Sequence, residues 1–177
     1  MSETAMLADH AVVAKNDSAS HENKIHSDDI AQEYGFEGAL VAGVTVFGHI
    51  MHVPVAAWGE RTFRDTRANV RFLKPAYDQD RLVVSGALNG DTMHVECHND
   101  QGVLLAPMDL APWDGTLEPI EADGERPPSE RDVIATGNLH VGKRVPTHVV
   151  TPDLDTHLGL CELLSDTNAL YFDGVTP

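Results

Sequence analysis

Basic residues are scarce in this chain of 177 residues: 12 Lys and Arg stand against 28 Asp and Glu, a formal net charge of −16. No basic run offsets the excess, so a phosphate backbone would be repelled and nucleic-acid binding is disfavoured. An acidic surface of this kind mainly supports solubility. Cysteine is also sparse. Cys97 and Cys161 are the only two, they lie far apart in the sequence, and neither has a second Cys at metal-ligand spacing. A disulfide framework is therefore not expected, and the pair reads as two free buried thiols. The start of the chain has no charged-apolar-small leader, since residues 1–8 are too short and too mixed for a signal peptide, which makes a cytoplasmic location the expectation. Walker, dinucleotide and Gly-x-Ser-x-Gly patterns are missing as well.

The most informative absence is local. Residues 38–59 contain no Asp, Glu, Lys or Arg. Val44, Val46, Phe47, Ile50, Met51, Val53, Val55 and Trp58 lie all round a helical wheel, and a helix apolar on nearly every side must be buried. Its polar stripe is Thr45, His49 and His52, at spacing i, i+4, i+7. Pro54 cannot donate to the carbonyl four residues back, so a kink or restart is expected there. The run is long enough to raise the question of a membrane span, but two histidines, a proline and four glycines argue against insertion.

Around this helix the rest of the pattern is mixed. The run Ala11-Val12-Val13-Ala14 could form an edge strand after a frayed start over residues 1–9. Ser27 suits the N-cap of a short helix reaching Tyr34, with Asp28 and Asp29 in its first turn and Gly35 at its end. After residue 59 the period changes to two. Thr66, Ala68, Val70 and Phe72 alternate with Arg67, Asn69 and Arg71, and strands follow over residues 81–87, 93–98 and 103–108. Asn89-Gly90 and Asp100-Gln101-Gly102 are the turns between them. A helix followed by an antiparallel meander gives an α+β class.

Two segments carry a resemblance. Asn23-x-x-His26, then the turn Gly35-Phe36-Glu37-Gly38, then an apolar helix opening at Gly43 is similar to the MaoC-like hotdog family of (R)-specific enoyl-CoA hydratases and acyl dehydratases. The stretch Val70-Arg71-Phe72-Leu73-Lys74-Pro75-Ala76-Tyr77-Asp78-Gln79-Asp80 resembles the strand and turn that follow the central helix in that family. The resemblance implies a hotdog fold, an antiparallel sheet wrapped around the central helix. It also implies a site in which an Asp and a His five residues apart hold the water that adds across a trans-2-enoyl thioester. His26 matches the family His and Asn23 the Asn. His21 occupies the Asp position, so the carboxylate is missing, and the adjacent Glu22 is a possible substitute. Gly43 matches the glycine whose N–H polarises the thioester carbonyl at a helix N-terminus. Ala42 stands where the family often has His.

The substrate implied is an acyl-CoA or a carrier-bound acyl thioester, with coenzyme A entering only as part of it and no separate cofactor. Arg67 and Arg71, on the outward face of one strand, could meet its phosphates, although a solvated face is the simpler reading. His94 and His98 share a strand face, but no carboxylate or Cys accompanies them or His49 and His52 at matching geometry, so no metal site is expected.

Residues 113–132 are rich in Pro, Gly and acid and read as a linker between a hotdog domain over residues 1–112 and a further segment, 133–177. Within that segment residues 139–150 have strand character. Ser165-Asp166-Thr167-Asn168-Ala169-Leu170-Tyr171-Phe172-Asp173 resembles Ser20-His21-Glu22-Asn23-Lys24-Ile25-His26-Ser27-Asp28 at a constant offset, an internal repeat. In this second copy the Asp position holds Asp166, and the His position holds Tyr171. The chain then reads as the front part of a double-hotdog protein, its second repeat incomplete. Three functions follow as expectations: a hydratase or dehydratase using His26, a hotdog thioesterase using Glu22 or Asp28 to activate water, and a non-catalytic acyl-binding half. Pairing of hotdog units, as a homodimer or pseudo-dimer, is expected in each case.

Overall fold

The computed structural model describes residues 4–16, 27–115 and 153–172. By their contacts, Met1–Asp114 and Asp155–Pro177 form one compact unit, and Gly115–Leu154 a second. Of the second unit almost all lies outside the described residues, as do residues 116–132 of the linker expected over residues 113–132 and the strand expected over residues 139–150.

The elements run β1 (Thr4–Met6), β2 (His10–Val13), α1 (Asp28–Glu33), α2 (Gly43–Trp58), α3 (Arg61–Arg64), β3 (Thr66–Val70), β4 (Arg81–Asn89), β5 (Thr92–Asn99), β6 (Leu104–Pro112) and α4 (Leu154–Leu164), with a 3-10 turn at Ala169–Tyr171. The strands form one antiparallel sheet in the order β1-β4-β5-β6-β3. β1 and β2 lie in succession along one edge of β4, with Met6 opposite Ala87 and His10 opposite Val84, and the amide of Leu7 between them donates to the Gly86 carbonyl at 2.8 Å. The β4–β5 hairpin turns at Gly90, whose φ of 60° suits a residue without a Cβ. A bulge near Cys97 and His98 shifts the register between β5 and β6.

Alternation along β4 and β5 sends Leu82, Val84, Met93, Val95 and Cys97 inward, where they meet Val46, Ile50, Val53 and Val55 of α2. Cys97 and Cys161 are both free and buried. This is the arrangement the hydrophobic pattern predicts, an antiparallel sheet packed on one apolar helix. Several details differ. Thr4–Met6, within the frayed start expected over residues 1–9, form the short strand β1. The four-residue helix α3 was not expected. β3 ends at Val70 instead of continuing to Phe72, while β6 runs on to Pro112.

α2 passes through Pro54 without restarting. The proline removes a donor to the Ile50 carbonyl, but its own carbonyl accepts from the Thr62 hydroxyl at 3.1 Å, which ties the C-terminal half of α2 to α3. The sheet does not cover α2 on every side. Val44 is 78% exposed, and the face carrying Phe47 and Gly48 looks toward α4 instead. Among the described residues, no helix is long and apolar enough to cross a membrane.

Candidate active site

Two places on α2 combine an opening with groups able to do chemistry. The first is its N-terminal end. Ala42 caps the helix with extended ψ of 138°, and its carbonyl accepts from the amides of Thr45 and Val46 at 2.9 and 3.1 Å. Gly43 is the first helical residue, so its amide belongs to the first turn, where N–H groups have no intrahelical carbonyl and the helix dipole is positive. It opens on a cleft of about 260 Å3 lined by Phe36, Leu40, Phe72, Leu73 and Lys74. A Cβ on Gly43 would stand 3.7 Å from the Phe72 ring, so the ring forms a wall against the glycine with ordinary contact to spare. The approach to this end is fixed at both sides. Asp28 at the start of α1 accepts from the Ala39 amide at 2.8 Å, and the Val41 amide donates to the Ala76 carbonyl at 2.9 Å.

The second place is the flank of α2 under α4, where an apolar cavity of about 420 Å3 is walled by Val44, Phe47, Met51, Phe63, Leu160 and Leu164. Asp166, Tyr171, His157 and Cys161 also line it. Local sequence explains why a carboxylate ends up there. α4 stops at Leu164, and Ser165 turns the chain with φ of 54° while its amide donates to the Glu162 carbonyl at 3.1 Å. The Asp166 amide returns to the Cys161 carbonyl at the same distance. Asp166 then uses Oδ1 to accept the Asn168 amide at 2.9 Å, and Asn168 uses its own side chain to accept the Leu170 amide at 3.1 Å, capping the 3-10 turn that presents Tyr171.

Asp166 is 5% exposed, the one buried carboxylate among the described residues. Its Oδ2 lies 3.0 Å from Nδ1 of His52 on α2. The His10 ring of β2 stacks on the His52 ring with centroids 3.7 Å apart. His49, one turn before His52, is 1% exposed, and neither ring nitrogen makes a hydrogen bond. Burial pushes the His49 imidazole down to about 4, with neighbouring His10 adding to the shift. His10 is lowered for the same leading reason. Both are neutral at pH 7. Burial, with Asp166 adding to it, raises the Tyr171 phenol to about 12, so it stays protonated and able to donate. The same two causes raise the Cys161 thiol, which argues against a reactive thiolate at this wall.

The sequence-derived candidates divide between these places. Gly43 stands where a helix-opening glycine is expected. His21, Glu22, Asn23 and His26 lie outside the described residues. Arg67 is on β3, but Arg71 lies just beyond the end of that strand, so the two do not share one strand face; both are exposed. The strand ends because its pairing with β6 stops at Val70 and Met108, after which the Arg71 amide donates to the Pro107 carbonyl at 3.0 Å. Asp28, considered as a base for thioester hydrolysis, is engaged in holding the Ala39 amide. His94 pairs with Asp109 at 2.6 Å, which raises its pKa, and with Glu96 at 3.3 Å; among the described residues no group of three or more His, Cys, Asp or Glu side chains is placed to hold a metal. The pairing of His52 with Asp166 was not foreseen. Both residues carried a sequence signal, one in the polar stripe of α2 and the other in the second motif copy, but nothing in the sequence joined them.

No protein-family model and no curated protein sequence matches the chain. Solved structures do. A MaoC domain dehydratase protein from Chloroflexus aurantiacus J-10-fl superposes with a TM-score of 0.56 over 97% of this chain at 16% identity. This chain spans about 62% of that protein's length. A HadBC (3R)-hydroxyacyl-ACP dehydratase complex from Mycobacterium tuberculosis matches 60% of this chain and 93% of its own at 15% identity, TM-score 0.45. An (R)-hydratase from A. caviae involved in PHA biosynthesis matches 62% of this chain and 92% of its own at 16% identity, TM-score 0.43. At these identities the likeness concerns architecture alone, and the first of them establishes it: the fold is a hotdog.

Proposed function

We propose that the chain carries an acyl-thioester hydratase or dehydratase site of the MaoC type, acting on an acyl-CoA or a carrier-bound acyl group. The observation that carries this reading is the N-terminal end of α2, where Gly43 places an amide on a cleft walled by Phe36, Leu40 and Phe72. A thioester carbonyl there would receive the Gly43 N–H and the positive end of a helix of 16 residues, which stabilises the enolate-like charge formed when water adds to or leaves the β-carbon. His26 is the acid/base group in this reading, and Asn23 holds its loop or the substrate. Lys74 at the same cleft supplies a cation suited to the phosphates of coenzyme A.

The test is incubation with trans-2-enoyl-CoA thioesters from four to ten carbons. Loss of the conjugated absorbance supports hydration, release of free thiol points to a thioesterase, and neither points to an acyl-binding half. His26→Ala should abolish hydration. Gly43→Pro, which a first helical position accommodates but which removes the N–H, should lower kcat by about 10² to 10³. His21→Asp restores a carboxylate at the empty position and should raise hydration by up to about 10². Full activity in both His26→Ala and Gly43→Pro would rule the reading out.

A further inference from the structure

His49 is the one buried histidine among the described residues, and neither of its ring nitrogens has a hydrogen-bond partner in the protein. His10 Nε2 is in the same condition. A polar ring shut away from water without partners favours any motion that lets water reach it.

The two sides that enclose α2 resist such a motion unequally. Toward the sheet, the helix packs on Leu82, Val84 and Val95 of β4 and β5, all fully buried. On the other side lies α4, in which Cys161 is the one buried residue, while Leu154 and Leu160 are exposed. α4 and its 3-10 turn are held by Leu164 over Gly48, by the Tyr171 ring edge-on to Phe63, and by Asp166 Oδ2 at 3.0 Å from His52 Nδ1. Among these contacts sits the cavity of about 420 Å3, so the two helices share no continuous apolar seam. A helix held by so few buried groups opens before a packed sheet does.

We propose that α4 and its 3-10 turn form an acid-released lid: when His49 takes up a proton, the lid lifts from α2 and opens the cavity to water, while the sheet stays folded. The proposal stands apart from the acyl-thioester reading, and its test needs no substrate. The groups around His49 come from each neighbouring element: His10 on β2, His52 on α2 itself, the Leu164 carbonyl at the end of α4, and Asp166 just after it. Burial pushes His49 down to about 4, His10 and His52 add to this, and Asp166 and the Leu164 carbonyl oppose it without reversing it. The remaining groups do not change charge on the way down. On the sheet, burial lifts the Cys97 thiol to about 12, and on the lid it raises Cys161 and Tyr171, so all three stay protonated. His10 is lowered, chiefly by burial, and a proton there works in the same direction as one on His49.

An imidazole at about 4 beneath the lid and near 6.5 in water takes its proton with the lid open. Opening is therefore favoured as pH falls below 6.5, and the gain levels off below about 4. Between pH 7 and pH 5 the opening constant should rise by about 20-fold.

The two cysteines read the two sides separately, because Cys161 is buried on the lid and Cys97 is buried in β5. The experiment labels the full chain with 4,4′-dithiodipyridine, a disulfide reagent that remains reactive in acid, at pH 7 and pH 5. Each site's rate is divided by that of the urea-unfolded chain at the same pH, which removes the ordinary pH dependence of the thiol. Cys161 should gain about 20-fold in this ratio at pH 5, and Cys97 should stay protected. His49→Leu should flatten the Cys161 response to the smaller part that His10 contributes. His49→Gln, polar but without a titration, gives the same readout where the leucine variant does not fold. A Cys161 ratio that is equal at the two pH values, or that rises as much in the His49 variants as in wild type, overturns the proposal. Cys97 rising in step with Cys161 overturns it as well, since the acid response is then unfolding of the whole domain and no lid exists.

Discussion

The two flanks of α2 are built on opposite terms. Toward the sheet, Val46, Ile50 and Val53 close against the core residues of β4 and β5, and Val53 sits so near β4 that a Cβ on Gly86 would come within 2.7 Å of its Cγ1. Toward α4, the same helix leaves a cavity of about 420 Å3, an exposed Val44, and a seam of His10, His49, His52 and Asp166. A face that is packed to capacity can only stabilise. A face with a cavity, a buried carboxylate and three imidazoles gives up packing energy and holds titratable groups instead, so the two sides of one helix differ in what they contribute to stability.

Truncation on the two flanks should therefore differ sharply. Ile50, fully buried against the sheet, should cost about 2 to 5 kcal/mol when changed to Ala. Val44, 78% exposed on the cavity side, should cost less than about 0.5 kcal/mol for the same change. Urea unfolding of both variants measures this, and comparable losses would erase the distinction.

The sheet-facing flank was legible in the sequence because its signals are local and repetitive. The alternation in β4 and β5, the Asn89-Gly90 turn and the uncharged run through residues 43–58 each follow from a period that neighbouring residues express together. The cavity side was not legible, since its meaning depends on contact between residues far apart in the chain. His52 and Asp166 were each visible, one as a stripe on a helical wheel and the other as a motif position, yet periodicity carries no information about which distant residue a stripe will meet. The same limit explains the assumption that sheet alone would cover α2. The wheel shows that every side is apolar, and it is silent on whether α4 or a strand lies against Gly48. Gly43 was readable for a different reason, because a helix start is a local event.

The buried histidine makes the cavity side sensitive to acid in a way the sheet side is not. His49 titrates near 6.5 in an unfolded chain and at about 4 in the folded one. Between those values the unfolded chain binds a proton that the folded chain refuses, so stability rises with pH across the window. It is fully present above about pH 6.5 and lost as pH falls toward 4, by up to about 3 kcal/mol at one pKa unit per 1.36 kcal/mol. The lowered His10 acts in the same direction. His94 acts in the opposite one, since Asp109 raises its pKa and its contribution fades as pH rises, but it is half exposed and solvent screens it. Urea midpoints taken from pH 7.5 to 4 should therefore fall for the wild type and fall much less for His49→Leu. Parallel slopes in the two would place the acid sensitivity elsewhere.

The smallest difference should come from the two glycine notches, which look alike and differ in what fills them. At Gly86 the obstructing atom is Val53 Cγ1 at 2.7 Å, with Leu7 Cδ1 at 3.2 Å behind it. Valine is stiff about χ1 and packed into the core, so it cannot turn aside, and Gly86→Ala should cost about 1 to 3 kcal/mol through overpacking. At Gly48 a new Cβ would meet Leu164 Cδ1 at 2.6 Å and Cδ2 at 2.8 Å, the far end of a flexible side chain beside a cavity. Leu164 can rotate into that space, while alanine in a helix interior gains about 1 kcal/mol over glycine. The two effects oppose each other, so Gly48→Ala should fall within about 1 kcal/mol of wild type. In a Leu164→Ala background the obstruction is gone and the helix gain remains, so Gly48→Ala should become stabilising there. A double-mutant cycle reads the coupling directly. An additive cycle would mean that Leu164 does not rest on Gly48 and does not close the cavity on that side.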